Sequence, residues 1–188
     1  GSTLEEIATE KLAVVHMGNI AVLPDDTWRH LVPPGCEIRI GGAREAAEAF
    51  VGHPIDADIS VEVPGRLERR DGEIRDGAHN LDGVRWLLDR LPAADYTLCV
   101  SILRDKDVDA MLACLARAGG RLVATDSGSG RALPAAELGS RARRHFDVVE
   151  VEPDPVSALR RAHALGEPVL VTGSLYLLAA LAAAEAAP

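Results

Sequence analysis

From Glu73 onward the chain alternates short runs rich in β-branched residues with longer segments whose apolar residues recur every three or four positions. No other feature limits the possible folds so strongly. "LDGVRWLLDRL" gives way to "YTLCVSI", "VDAMLACLARAG" to "RLVAT", "PAAELGSRARRH" to "FDVVEV" and "PVSALRRAHALG" to "PVLVTG", before a last Ala/Leu-rich helical segment. Short β-branched runs next to segments of helical period, joined by short connections, predict βαβ units. The expected architecture is therefore α/β: a Rossmann-like, mainly parallel sheet flanked by helices. Just before it, "LERRDGEIR" carries Asp71-Gly72 between two short arms, the signature of a tight hairpin.

The first 60 residues read differently. "TLEEIATEKLAVV" is an amphipathic helix with Thr3 as N-cap and Glu6 three positions later, a capping box. "VPPGCEIRIGG" is a turn and a strand, "AREAAEAF" a short helix and "GHPIDAD" a linker. Two helices and a strand or two cannot close a core, so residues 1–60 are expected to be a piece that packs on something else, and 61–188 a domain.

Composition supports that division and excludes some functions. Of 188 residues 47% are hydrophobic, enough for one core and a small appendage, and with aromatics at 3% that core is built from Ala, Leu and Val. A formal charge of −9 is the wrong sign for a nucleic-acid surface. The short basic runs "RARRH" and "RRAH" read as solvated helix faces. Cys36, Cys99 and Cys114 show no C-x-x-C spacing, and Cys99 and Cys114 fall in apolar runs as small core residues, which suits a reducing cytoplasm. "YLLAALAAAEAA" is too short to span a bilayer, and no secretory signal pattern is present. The expectation is a soluble cytoplasmic protein.

In an open parallel sheet, ligands collect beyond the carboxyl ends of the strands, where the next helices present free N–H groups. Those ends are Asp76-Gly77-Ala78-His79-Asn80, Leu103-Arg104-Asp105-Lys106-Asp107, Asp126-Ser127-Gly128-Ser129-Gly130-Arg131 and Gly173-Ser174. The first and last combine small residues with side chains able to bind a polar group. Each also has a purely structural reading: Asp76 and Asn80 as helix caps, Asp105 and Asp107 as caps beside a solvated Lys106, Ser174 as an N-cap. His79 also reads as a solvent-facing turn histidine, and Arg66 in "PGRLE" as a surface charge on a backbone fixed by Pro64-Gly65. The remaining histidines show no metal-ligand spacing, so no metal site is expected.

Five motifs in order, "PGRLE" (64–68), "DGAHN" (76–80), "DKDVDAML" (105–112), "RALPAAEL" (131–138) and "VTGSLYLLA" (171–179), resemble folylpolyglutamate synthases and dihydrofolate synthases of the Mur-ligase superfamily. The opening "GSTLEEIATEKLAVV" is similar to a segment near the end of that family's central ATPase domain. The resemblance implies that 1–60 is the truncated end of that domain plus a linker, and that 61–188 is a C-terminal ligase domain. It implies a reaction in which ATP, with Mg2+, converts a folate or dihydropteroate carboxylate into an acyl phosphate that the amine of L-glutamate attacks. By motif, Arg66 and Asp76 would contact ATP, and His79 and Ser174 would hold glutamate. A guanidinium fork suits phosphate, and imidazole titrates near working pH.

Several departures qualify that implication. No G-x-x-x-x-G-K-S/T phosphate loop is present, and the family's magnesium-binding residues would lie upstream of Gly1. The stretch "GGAREAAEAFVGHPIDADISVEV" holds no asparagine where the family has one that contacts nucleotide. Leu81 stands where proline is common, and Arg75 stands at a usually apolar position, which suggests a more exposed first strand. The expectation is a C-terminal portion that is inactive alone, contributes no catalytic residue and works with an ATPase half. The alternatives are a non-catalytic Rossmann-like module binding a nucleotide or protein, and a Mur-type ligase domain for a peptidoglycan precursor.

Overall fold

The computed structural model describes residues 3–57 and 62–186. The chain divides into two compact units, Gly1–Ser60 and Val61–Pro188. The end of the expected linker and the junction at 58–61 lie outside the described residues.

In the first unit, helix α1 (Leu4–Leu12) opens with the expected capping box: Thr3 Oγ1 accepts from the Glu6 N–H at 3.1 Å, and Glu6 Oε2 accepts from the Thr3 N–H at 3.4 Å. Strands β1 (Ile20–Leu23) and β2 (Glu37–Ile40) pair in parallel, with a 3-10 turn (Asp26–Leu31) in the connection, and α2 (Ala43–Val51) follows. Among the described residues of this unit only Ala21 and Leu23 are buried apolar side chains, while Phe50 is 92% exposed and Met17 81%. The two core clusters among the described residues both lie in the second unit.

The second unit carries every predicted strand and helix. Its sheet contains β3 (Glu68–Arg70), β4 (Glu73–Arg75), β5 (Thr97–Val100), β6 (Arg121–Ala124), β7 (Val148–Val151) and β8 (Val169–Thr172), in the order β3-β4-β8-β5-β6-β7. Only the β3–β4 pair is antiparallel. Gly72, at φ +70°, supplies the positive φ that turns this hairpin. Helices α3 (Leu81–Leu88), α4 (Val108–Leu115) and α5 (Ala135–Ala142) cover one face through Val84, Leu87, Met111, Leu112, Leu115 and Leu138. Helices α6 (Pro155–Leu165) and α7 (Leu175–Glu185) cover the other through Ala158, Ala162, Leu177, Leu178 and Leu181. Strands β5 and β8 are buried at every position, which is why they read as continuous apolar runs rather than as an alternation.

The chain does not return to the sheet edge after β7. It crosses by α6 and inserts β8 between β4 and β5. The carboxyl ends of β4, β8 and β5 thereby become neighbours, and the crevice that ligands favour in such sheets opens there.

Arg75 requires a correction. The strand that carries it is not more exposed: Arg75 is 3% exposed. Ile74 joins the core on the α3–α5 face, so its neighbours Glu73 and Arg75 point to the α6–α7 face. There the guanidinium meets Glu73 Oε1 at 2.6 Å and Glu185 Oε1 at 2.6 Å. A buried charge is tolerated when it is paired and hydrogen-bonded.

Candidate functional site

Beyond β4 the turn is built around Asp76, which is 1% exposed. Its Oδ1 accepts from the Ala78 N–H at 2.8 Å and its Oδ2 from the Leu67 N–H at 2.9 Å. The carboxylate thus ties the "PGRLE" turn to the "DGAHN" turn, and a second tie runs from the Gly77 N–H to the Gly65 carbonyl at 2.8 Å. Asp76 is not a helix cap. That role belongs to Asn80, whose Oδ1 accepts from the Gly83 N–H at 2.7 Å. Gly65 holds φ +71° with the Leu178 methyl 2.8 Å from where a Cβ would sit, so this turn has no room for a side chain.

Between those ties Arg66 is exposed. Its own N–H donates to the Val63 carbonyl at 3.0 Å and the next N–H is held by Asp76, so the backbone is fixed while the guanidinium has no partner among the described residues. Arg66, Asp76, Ala78, Gly83 and Trp86 line a cavity of about 280 Å3. The guanidinium of Arg90 lies 4.2 Å from the Trp86 ring.

A second cavity, of about 210 Å3, is lined by His79, Leu103, Lys106, Arg131, Ser174, Leu175 and Tyr176. It draws on all four carboxyl-end loops. His79 is half-buried, and its Nδ1 lies 2.8 Å from the Gly77 carbonyl. A carbonyl only accepts, so Nδ1 carries the proton, and Nε2 is left for a ligand. Ser174, 1% exposed, is the N-cap of α7: its Oγ accepts from the Tyr176 N–H at 3.1 Å. The hydroxyl proton is not used in that cap and can donate to an acceptor in the cavity.

The four expected residues therefore separate two by two, Arg66 with Asp76 in one cavity and His79 with Ser174 in the other. Sequence reasoning missed Lys106 and Arg131. Asp107 does cap α4, with its Oδ1 3.2 Å from the Ala110 N–H, but Asp105 does not cap. It bridges Lys106 at 3.0 Å and Arg131 at 3.0 Å, and Lys106 holds its carboxyl below the usual aspartate range. Lys106 is only 27% exposed at its side chain and faces the cavity rather than open water. The signal for both in the chain is their place: each cation stands in a carboxyl-end loop, Lys106 directly after Asp105. Two cations against one carboxylate leave the wall a net positive charge, which suits a ligand carrying carboxylates.

Among the described residues no group of three or more His, Cys, Asp or Glu is placed to hold a metal ion, and no helix is long and apolar enough to cross a membrane. Burial pushes the Cys99 thiol up to about 12, which makes it an inert core residue.

No protein-family model and no curated protein matches the chain. Solved structures do. Folylpolyglutamate synthase of Mycobacterium tuberculosis, complexed with ADP and AMPPCP, superposes with a TM-score of 0.84 at 21% identity over 100% of this chain and 61% of that one. FolC of E. coli, in complex with DHPP and ADP, gives 0.78 at 19% identity over 98% and 57%. A bifunctional folylpolyglutamate synthase/dihydrofolate synthase with Mn, AMPPNP and L-glutamate bound gives 0.72 at 22% over 98% and 58%. The chain thus spans about three fifths of the length of the solved structures it matches. At these identities the likeness establishes the fold, which is the Rossmann-like, mainly parallel α/β fold of the FolC C-terminal domain.

Proposed function

We propose that the chain is the C-terminal portion of an ATP-dependent, ADP-forming ligase that joins L-glutamate to the carboxylate of a folate or dihydropteroate through an acyl phosphate. In this reading 61–188 is the ligase domain and 1–60 the end of a central ATPase domain. The exposed Phe50 and Met17 of the first unit belong against the rest of that domain. The observation that carries the reading is the separation of the four residues into two cavities, one next to an unpaired guanidinium and one with a net cationic wall.

ATP supplies the phosphoryl group that activates the acid, and this domain positions the reactants. Arg66, on a fixed backbone, offers its fork to phosphate oxygens. Asp76 keeps that turn in place and shapes the nucleotide cavity. Lys106, Arg131 and the Ser174 hydroxyl take the carboxylates of glutamate. Nε2 of His79, left free by the Nδ1 contact with the Gly77 carbonyl, faces the glutamate and holds it so that its amine is directed at the acyl phosphate. In this reading the magnesium ligands come from the ATPase half, and the domain alone is expected to turn over no ATP. The work would take place in the cytoplasm, with no nucleic acid or membrane involved.

The test is made in the complete enzyme. His79→Ala should raise the L-glutamate concentration for half-maximal ADP release by about 10-fold or more, the scale of a lost hydrogen bond to a charged group. A variant with undiminished glutamate dependence sinks the assignment of His79.

A further inference from the structure

On the α6–α7 face, a line of charges crosses what is otherwise an apolar layer. Glu68 accepts from the Gly65 N–H at 2.8 Å and from Arg70 Nε at 2.8 Å. Arg70 Nη1 donates to Glu185 Oε2 at 2.7 Å, and Arg75 Nη2 donates to Glu185 Oε1 at 2.6 Å. Arg75 Nε continues to Glu73, whose other oxygen lies 3.1 Å from Nε2 of His163. The Arg75 side chain is 4% exposed and that of Glu73 6%.

Glu185 is the last residue of α7, and Ser174 is the cap at its other end, about 16 Å away at 1.5 Å per residue. The helix between them, "LYLLAALAAAE", is apolar on nearly every side. Apolar burial is non-directional, so it presses α7 onto the sheet without choosing how far the helix slides or turns. Hydrogen bonds between charged groups are directional and distance-limited, and buried ones are best attested in setting register; here the buried member is Arg75, 4% exposed, while Glu185 is 42% and Arg70 37% exposed at their side chains. Near Ser174 the helix also meets the turns closely: Leu175 lies 2.2 Å from where a Cβ on Gly77 would sit, and Leu178 lies 2.8 Å from one on Gly65. A small slide of α7 at its far end therefore moves Ser174 and Tyr176, which line the same cavity as His79.

We propose that the clasp of Glu185 by Arg70 and Arg75 sets the register of α7 on β4, making these three positioning residues for the cavity of His79 and Ser174. The identity of the ligand as L-glutamate rests on the reading under Proposed function. The register itself does not.

The experiment compares amide NMR spectra of the 188-residue chain with Glu185→Gln and Glu185→Asp, each followed by titration with L-glutamate. In Glu185→Gln the amides of Ser174, Leu175, Tyr176 and His79 should shift, although they are more than two helical turns from the substitution. Those of β5 and β6 should stay in place, and Glu185→Asp should recover part of the change. The half-saturating L-glutamate concentration should rise about threefold or more in Glu185→Gln. Shifts confined to the last turn of α7 and its two arginines overturn the proposal, as does an equal spread through β5 and β6, which would signal general loosening. If the remote shifts appear but the unaltered chain does not respond to L-glutamate, the register stands and the ligand assignment fails.

Discussion

Replacing Asp76 by Asn asks whether its carboxylate holds the site together or is held in reserve for a ligand. In the folded domain both oxygens are engaged, by the N–H groups of Ala78 at 2.8 Å and Leu67 at 2.9 Å, and the residue is 1% exposed. An Asn side chain keeps one acceptor and points an NH2 group at the other N–H. One charge-assisted hydrogen bond, worth about 1.5–3 kcal/mol, is lost, and the surviving one becomes an ordinary neutral bond. Removing a buried charge gives part of this back, since the carboxylate no longer has to be desolvated. The balance is a loss of about 2–3 kcal/mol, a large share of the roughly 5–15 kcal/mol typical of a whole domain. With a urea m-value of about 2 kcal/mol/M, the midpoint should fall by about 1–1.5 M with no change in slope. Far-UV circular dichroism of the chain in urea at neutral pH measures this directly. A fall below about 0.3 M would refute the reasoning, because it would mean that the two turns do not depend on the carboxylate.

Two further outcomes follow from other parts of the molecule. His163 places Nδ1 2.8 Å from Glu167 and Nε2 3.1 Å from Glu73; carboxylates only accept, so both nitrogens carry protons. Burial lowers its pKa, but the hydrogen bonds to Glu167 and Glu73 outweigh it and the net shift is upward from 6.5. A folded pKa above the unfolded one adds stability that is complete below about 6.5 and is lost as pH rises through the folded value. The urea midpoint should therefore decline as pH rises above about 6.5 and through the raised folded pKa, and His163→Gln should flatten that decline; a midpoint that rises from there contradicts the pairing. In the first unit, Phe50→Ser and Met17→Ser should each alter the stability of this chain by no more than about 0.5 kcal/mol, since 92% and 81% of these residues already face solvent. A loss beyond about 1 kcal/mol in calorimetry would show that this chain already covers them and that they do not await the rest of a domain.

Some features are encoded by neighbours in the chain and are legible in the sequence alone. The Thr3–Glu6 capping box, the Asp71-Gly72 hairpin, the caps at Asn80, Asp107 and Ser174, and the strand–helix alternation all depend on residues within one turn or one pleat of each other. Propensity and periodicity act at that range, so the parallel α/β class and the carboxyl-end loops can be named from the order of residues. The arrangement of those loops cannot. Inserting β8 between β4 and β5 places Ser174 beside His79, and that choice depends on how two faces of a sheet are covered, not on any local run. Long separation hides the charges as well: Arg75 and Glu185 are 110 residues apart, Glu73 and His163 90, and Asp105 and Arg131 26. By its local context Arg75 reads as a surface arginine, Lys106 as a solvated lysine, and the "RRAH" run as a plain helix face. A charged side chain carries no local mark of whether it will meet water or a buried partner, and only the folded chain, by removing the water, decides which.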